Sequence, residues 1–416
     1  MVIPAVVEQH AEELAGLWTT RERLRVAADV GLTQLARFDE RILAHQDACV
    51  VAGTEGIRIL NAQLETVTAG HVFASGVVGL ESMSRDAITR CMSLIEVVPD
   101  ARRGMSSAMG WVSSGRLRVI GKEMLDSTSA IVRAVGLTAC RLHAVDPGAP
   151  LVNGFADAST VLRAEAFRAA GVLGRTDLVS SVAAIIDDNP ACQFWSAWSA
   201  VLLGDRGRGL NTLREIASVP GDNRRRAFVL SCQAMSVGTA HEFLTDLADN
   251  PIGKRWVIEG AGLAGDPRYI PWLVTLMGDN QVARLAGEAF TLIAGADLPA
   301  LDLERMRPEG FEAGPTDNPE DSDVAMDPDE GLPWPDQTKV HEWWTANRSR
   351  FQPGLRYFLG EKVDREHCLN VLKNGGQRQR ILAAQYLCLL EPQTGVFNTN
   401  APAWRQHRWL AQIASR

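Results

Sequence analysis

Two series of residues advance through this chain in step. Acidic residues fall at Asp126, Asp157, Asp188, Asp222, Asp249 and Asp279, with spacings of 31, 31, 34, 27 and 30. Glycines fall at Gly174, Gly204, Gly238, Gly265 and Gly295, with spacings of 30, 34, 27 and 30, the same series one step along. Two independent markers with one shared period identify a repeat, and a repeat constrains the fold before any other feature does. Between the markers apolar residues recur at helical spacing, with few strand-like alternations. Each unit reads as a short first helix, an Asp/Asn turn and a second helix of small and apolar residues, as in VLRAEAFRAAGVLG, KRWVIEGAGLAG and VARLAGEAFTLIAG. The turn residue suits an N-cap, which accepts an orphan backbone N–H. The glycine suits the left-handed position that ends a helix. A basic residue recurs near the start of the second helix, at Arg133, Arg163, Arg255 and Arg284. Opposite a turn Asp of its own or a neighbouring unit, it forms a ladder between repeats. Units are expected at 86–115, 116–148, 149–175, 176–206, 207–238, 239–266 and 267–296. A single pair cannot bury its own apolar face, so stacking makes one continuous core. The expected fold is all-α, an α-solenoid of HEAT-like helix pairs.

Four regions follow. Residues 1–70 form an N-terminal helical region with helices expected at 8–17, 29–45 and 55–66, the second carrying LARFDERILAHQD. The repeat array occupies 71–300. Residues 301–333 are dense in Pro, Gly, Asp and Glu and read as a loosely ordered acidic insertion. Residues 334–416 hold a helix, a turn segment, a further pair of the same design in REHCLNVLKNGGQRQRILAAQYLCLLEP, and a closing helix in NAPAWRQHRWLAQI. The acidic stretch therefore interrupts a solenoid and does not link unrelated domains.

Charge and cysteines narrow the functional classes. The net charge is −8, yet 302–330 alone holds eleven acidic residues against Arg305 and Arg307. The rest of the chain is close to neutral, which disfavours a nucleic-acid binder, because neutralising phosphates requires clustered Lys and Arg. The seven cysteines, at 49, 91, 140, 192, 232, 368 and 388, include no C-x-x-C pair. Neither a disulfide framework nor a zinc cluster is expected, and reduced thiols fit a cytoplasmic protein. The opening MVIPAVVEQHAEE lacks a basic region before an apolar one, so no secretory signal is expected, and no uncharged run is long enough to span a bilayer.

No residue pattern points to a reaction. A single His–Glu dipeptide, His241–Glu242, cannot build the paired-metal site that several such dipeptides on successive repeats would make. There is no G-x-x-x-x-G-K-[ST] and no G-x-S-x-G. The glycines of EGAGLAG lie within a repeat helix, where close helix packing explains them. No cofactor and no metal are expected. The candidate residues are instead those of a binding surface. Trp195, Trp198 and Trp256 fall on second helices, which line the concave face of such solenoids. Arg224, Arg225 and Arg226 occupy the first turn of a helix, where the macrodipole disfavours each cation by roughly 0.3–1 kcal/mol. An acidic surface meeting them would offset that cost, whether on a partner or in the chain's own 302–330. Trp343 and Trp344, with Trp334, restart the helical pattern after the insertion, either as packing or as an aromatic anchor at an interface. Asp39, Glu40, Arg41, His45 and Asp47 of LARFDERILAHQD read as a polar network between helices.

Several strings together resemble one bacterial family: EEL..LW..RE, LARFDERILAHQD, LPWPD...V..WW, RFQPGLRYFLG, GGQRQR and NAPAWRQ. This is a helical-repeat family whose members often lie in type VI secretion gene neighbourhoods, near spike-tip proteins and effector chaperones. The resemblance spans essentially the whole chain, and its C-terminal strings are the most specific. It carries no catalytic residues. It implies a cytoplasmic, non-enzymatic co-chaperone or adaptor that binds an effector, an effector chaperone or a spike-tip protein through the concave face, with no nucleic acid and no membrane as partner. The competing readings are an immunity protein that neutralises a toxin and a helical-repeat enzyme, either a nucleic-acid glycosylase or a metal-dependent hydroxylase.

Overall fold

The computed structural model describes residues 2–185, 187–248, 253–314 and 325–414. Helices α1 (Pro4–Leu24) and α2 (Leu32–Val51) open the chain. Eight helix pairs follow. They are α3 and α4 (Thr54–Gln63, Ala69–Glu81), α5 and α6 (Arg85–Val97, Pro99–Trp111), α7 and α8 (Ser114–Leu125, Ala130–Leu142), and α9 and α10 (Ala149–Gly154, Thr160–Val172). Then come α11 and α12 (Val179–Ala183, Pro190–Leu202), α13 and α14 (Arg208–Ser218, Arg224–Ala234), α15 and α16 (Val237–Ala248, Lys254–Ala264), and α17 and α18 (Ile270–Leu276, Ala283–Ala294). After the acidic insertion come α19 (Gln337–Asn347), a two-residue hairpin of β1 (Tyr357–Phe358) and β2 (Glu361–Lys362), α20 (Arg365–Asn374), α21 (Gln377–Leu390) and α22 (Ala403–Ala414). The protein is an all-α solenoid.

The seven units expected from the markers coincide with the pairs from α5 through α18. An eighth pair, α3 with α4, precedes them. Helix α4 has no polar face: Gly70 and every residue from Val72 to Leu80 are buried, so its sequence shows no amphipathic period. It packs chiefly on α6, and the second helices continue from there as an unbroken inner layer, each touching the next. The core follows that layer, with Phe73, Phe167, Phe194, Phe228 and Phe290 fully buried on α4, α10, α12, α14 and α18.

The markers themselves need correcting at three points. Gly174, Gly204, Gly265 and Gly295 have positive φ as expected, but Gly238 lies in the first turn of α15, and α14 ends instead at an extended Met235. The turn acids are not the N-caps. Asp157 accepts the N–H of Ser159 at 2.9 Å, and Ser159 is the N-cap of α10. Asp187, and not the exposed Asp188, does the same for Asn189, the N-cap of α12. Asp279 accepts the N–H of Gln281 at 3.1 Å. These are Asx turns that set up the following helix. Asp126 is the C-cap of α7, Asp222 is exposed, and Asp249 lies outside the described residues.

The expected ladder joins these turns. Arg133 donates to the carbonyls of Ser127 and Thr128 in its own turn and to Asp157 of the next at 2.7 Å. Arg163 repeats the pattern, holding the carbonyls of Asp157 and Ala158 and reaching Asp187 at 2.8 Å. Lys254 reaches Asp279 at 2.7 Å.

The C-terminal region departs from expectation. Helices α20 and α21 do not stack as one more unit on α18; α21 lies against α12 and α14, and α22 against α2. The reason is the row of carbonyls that the inner helices leave unpaired at their C-termini. Arg356 donates to Cys232, Gln233 and Met235 at the end of α14. The N–H of Tyr357 donates to Gly265 after α16, and those of Leu359 and Gly360 to Leu292 and Ile293 of α18. The N–H of Val396 donates to Val172 of α10, and Asn398 Nδ2 to Leu142 of α8. Arg405 donates to Gly110, Trp111 and Val112 at the end of α6. Two marker glycines thus have a second reason to be glycine: a Cβ on Gly265 or Gly295 would strike the Tyr357 or Leu359 carbonyl.

The same region closes the array on its own N-terminus. Gln377 N–H donates to Val30 at 2.7 Å. Arg378 donates to Val26 after α1 and, at 3.1 Å, to both oxygens of Glu288 on α18, so one side chain holds the two ends. Buried Arg21 of α1 pairs with buried Asp39 of α2 at 2.5 Å and donates to the carbonyls of Asn400 and Ala401. Asp39 also accepts the N–H of Ala403 at 2.7 Å. The polar network expected of LARFDERILAHQD is therefore centred on Asp39 and joins α1, α2 and the start of α22. Arg41 lies over Phe38, 5.3 Å from its ring centre, and His45 meets His10 with Nδ1 atoms 3.0 Å apart.

Two outcomes are expected. Asp39→Ala leaves the Arg21 charge buried without its partner, a loss of roughly 3–5 kcal/mol. Thermal melting and limited proteolysis should show a lower midpoint with early cleavage before α22; a parental midpoint with an intact C-terminus would refute the account. The second concerns acid. The N–H of Ser159 together with Arg133 holds the Asp157 carboxyl below its usual range, as Arg163 does for Asp187 and Lys254 for Asp279. Carboxyls with depressed folded-state pKa values stabilise the native state above about pH 4 and lose that contribution as pH falls through the folded values. The melting midpoint should fall below about pH 4, and Asp187→Asn should show a shallower acid limb than the parent. Equal limbs would remove the ladder from the explanation.

Candidate binding face

The inner layer curls until residues far apart in sequence face one another. Arg378 bonds both the Val26 carbonyl after α1 and Glu288 of α18. Arg25, which caps the end of α1, has its guanidinium pKa lowered chiefly by burial and also by neighbouring arginines, the most distant in sequence being Arg226 of α14. Arg168 of α10 feels both. The aromatic residues of this face sit among these arginines. The half-buried Trp195 of α12 packs edge-on against Phe194 and Trp198, with ring centres 4.7 and 5.4 Å away. The Arg168 guanidinium lies over Trp195 at 4.3 Å and that of Arg226 at 5.9 Å. On α16, Trp256 packs edge-on against Phe228 at 5.0 Å and carries Arg224 at 4.4 Å. Such stacks hold a cation on the ring face and leave its N–H groups free to donate in the ring plane.

The arginine run resolves into three environments. Arg224 donates to the Ala217 carbonyl at 3.1 Å. Arg225 is exposed and pairs with Glu259 of α16 at 2.6 Å. Arg226 is exposed as well and reaches Asn223 Oδ1 at 3.3 Å. Among the described residues, no acidic side chain of 302–330 bonds to any of the three. The end of that segment docks elsewhere. Asp327 pairs with Arg284 through two bonds of 2.7 and 2.9 Å and accepts the N–H of Asp329, while Asp329 pairs with Arg255. Burial pushes the Asp327 carboxyl up, but Arg284 and the Asp329 N–H pull it below its usual range. Asp-Pro-Asp thus occupies the place that Asp-Ala-Ser holds in an ordinary turn, and the described end of the acidic segment continues the ladder. Asp317, Glu320, Asp321 and Asp323 lie outside the described residues.

The remaining candidates pack against their own chain, some of them only in part. Trp198 is buried in the core. Trp343 packs edge-on against Phe290 at 5.7 Å and Trp344 against Phe351 at 5.3 Å, both partly buried. Trp334 is buried between Arg284, Arg305 and Phe311, where the insertion rejoins the array. His241 is exposed and bonds the Tyr269 hydroxyl at 2.8 Å. Among the described residues no group of three His, Cys, Asp or Glu side chains could hold a metal ion, and no helix is long and apolar enough to cross a membrane.

One feature of the face was not read from the sequence. A cavity of about 370 Å³ opens between α1, α6, α8, α10 and the strand of chain at 398–402. Arg25, Arg103, Arg141 and Arg168 line it, with Glu22 and Glu165 as its carboxylates. Glu22 serves Arg25 at 3.0 Å and Arg103 at 2.9 Å. Glu165 serves Arg141 at 2.6 Å and Arg168 at 3.9 Å. Burial, reinforced by Arg141, pushes the Arg168 guanidinium down to about 9. The available signal was weak: with the ladder residues Arg133 and Arg163 aligned, Arg168 takes the place of Thr138, a charge where another unit has a hydroxyl.

Comparisons with protein-family models, with curated proteins and with solved structures each return no match.

The cysteines supply a test of this geometry. Six of the seven are buried, and burial pushes Cys49 and Cys91 up to about 11 and Cys368 and Cys388 up to about 12. Only the half-buried Cys140 is placed to react in the native protein. Mass spectrometry after a thiol reagent near pH 8 should find at most one label on native protein and seven after denaturation. Rapid native labelling of Cys232 or Cys388 would contradict the closed array.

Proposed function

We propose that this chain is a cytoplasmic, non-enzymatic scaffold that binds another protein through the inner face of its solenoid. The observation that carries the reading is the set of arginine–tryptophan stacks on successive inner helices: Arg168 and Arg226 on Trp195, and Arg224 on Trp256. Trp and Arg dominate the energetics of protein interfaces because each covers a large area at small entropic cost and keeps donors at its edge. Solenoids present such residues along a curved surface suited to extended protein ligands. The resemblance of the C-terminal strings to a type VI secretion-associated family supplies the setting, a co-chaperone or adaptor for an effector, its chaperone or a spike-tip protein.

The test is affinity isolation of the full-length chain from its native cytoplasm, with mass spectrometry and sizing of the complex. A secretion effector, effector chaperone or spike-tip protein in a defined ratio is expected, and Trp195→Ala, with its retained helical fold checked by circular dichroism, should weaken that complex at least about tenfold. Isolation of the chain alone, carrying stoichiometric metal or nucleic acid, would overturn the reading in favour of an enzyme.

A further inference from the structure

Four guanidinium groups share two carboxylates in the cavity beside α1. Arg25 and Arg103 divide Glu22, and Arg141 and Arg168 divide Glu165. Two further arginines line the cavity: Arg21, neutralised by Asp39, and Arg102, which donates only to the carbonyls of Ile95 and Glu96, so positive charge outweighs negative there even with Arg21 set aside. Arg226, which shares the Trp195 ring with Arg168, adds a further positive charge beside the cavity. A folded protein has no structural use for such a set: like charges held together in a partly desolvated space raise its energy. The side chains are also incompletely bonded. Arg25 Nε is buried with no hydrogen-bond partner, and the contact of Arg168 with Glu165 is an ion pair at 3.9 Å, too long for a hydrogen bond. The stack on Trp195 orients Arg168, so its position does not depend on Glu165.

We infer that this cavity is an anion-receiving subsite, and that its occupant is a short acidic peptide segment of the protein partner, with one carboxylate set against Arg25 and Arg103 and a second against Arg168 and Arg226. This rests on the protein-binding reading and names the chemistry of the bound segment. Guanidinium groups can pair with carboxylates through two parallel bonds, and in the cavity Glu22 and Glu165 engage Arg103 and Arg141 through one bond each, leaving donors of those side chains for a second carboxylate. Its volume of about 370 Å³ admits a few side chains. A nucleic-acid backbone fits less well. It needs a continuous basic track, and further along the same face Glu259 and Glu288 project from α16 and α18, each already spent on Arg225 and Arg378.

The test uses the full-length chain and a dye-labelled ten-residue peptide with aspartate alternating with serine, followed by fluorescence anisotropy. Saturable binding is expected, weakening about tenfold or more between 50 and 300 mM salt, roughly as expected when several ion pairs form. Arg168→Gln should weaken it about tenfold, Arg168→Lys less, and Arg25→Gln with Arg168→Gln should abolish it. Because each substitution relieves repulsion, the melting midpoint of Arg168→Gln should equal or exceed the parent's. Absence of binding, binding that survives the double substitution, or a single-stranded oligonucleotide of equal length that binds as tightly would each overturn the inference. So would a lower midpoint with unchanged affinity, which would make Arg168 a structural residue. The two readings fail separately. A secretion partner whose complex is indifferent to Arg168→Gln sinks the subsite and leaves the scaffold. Peptide binding lost in the double variant, with no protein partner recovered, sinks the scaffold and leaves the subsite.

Discussion

Parallel inner helices that end side by side expose a row of carbonyl groups, and the shape of this protein depends on how that row is satisfied. In an open solenoid water can do so. Here the chain does it itself, with the N–H groups of Tyr357, Leu359, Gly360 and Val396 and the side chains of Arg356, Asn398 and Arg405. Each buried carbonyl left unpaired would cost about 1–3 kcal/mol, so displacing this segment is expensive at many places at once. The segment cannot cap helices from α18 back to α6 and also continue the array outward. Closure follows from that. Helix α21 must lie across the middle of the inner layer, and the chain must end against α2, where Arg21 and Asp39 receive it.

The repeat was legible because its period is set by local rules. A left-handed glycine and an Asx turn are each decided within a few residues, so they recur in sequence wherever they recur in space. Where a different residue could meet the same need, the reading slipped. Asp187 and Asp188 are adjacent carboxylates, and only the folded turn, with the Asn189 N–H and Arg163 on Asp187, singles out the first. Gly238 keeps the spacing but begins a helix instead of ending one. Helix α4 escaped because a helix buried on all sides has no hydrophobic period to detect. The C-terminal pair was legible as two helices but not as a clasp, since a helix pair looks alike whether it stacks outward or folds back.

The candidate binding face was the least legible, for a related reason. Trp195 and Trp256 could be assigned to inner helices from the repeat alone. Arg25 and Arg168 could not be brought together, because nothing short-range connects position 25 to position 168. The local anomaly at 224–226 lies on this face, but Arg224 and Arg225 already have partners within the chain.

Two acidic elements of the chain meet the array in opposite ways, and the contrast explains the charge in the lumen. The end of the insertion reproduces a repeat turn: Asp327 accepts the N–H two residues on, as Asp157 does, and takes a ladder arginine, as Asp187 does. Its charge is neutralised at the rim, so Arg255 and Arg284 gain counter-ions without a further helix pair. The arginines of the lumen receive no equivalent service from the described chain, which supplies only Glu22 and Glu165 to four of them. A chain rich enough in aspartate and glutamate to complete a ladder leaves its inner face with excess positive charge. That imbalance is tolerable because Trp195 and Trp256 spread part of it over their ring faces, and it gives an acidic ligand something to neutralise that the fold itself has left undone.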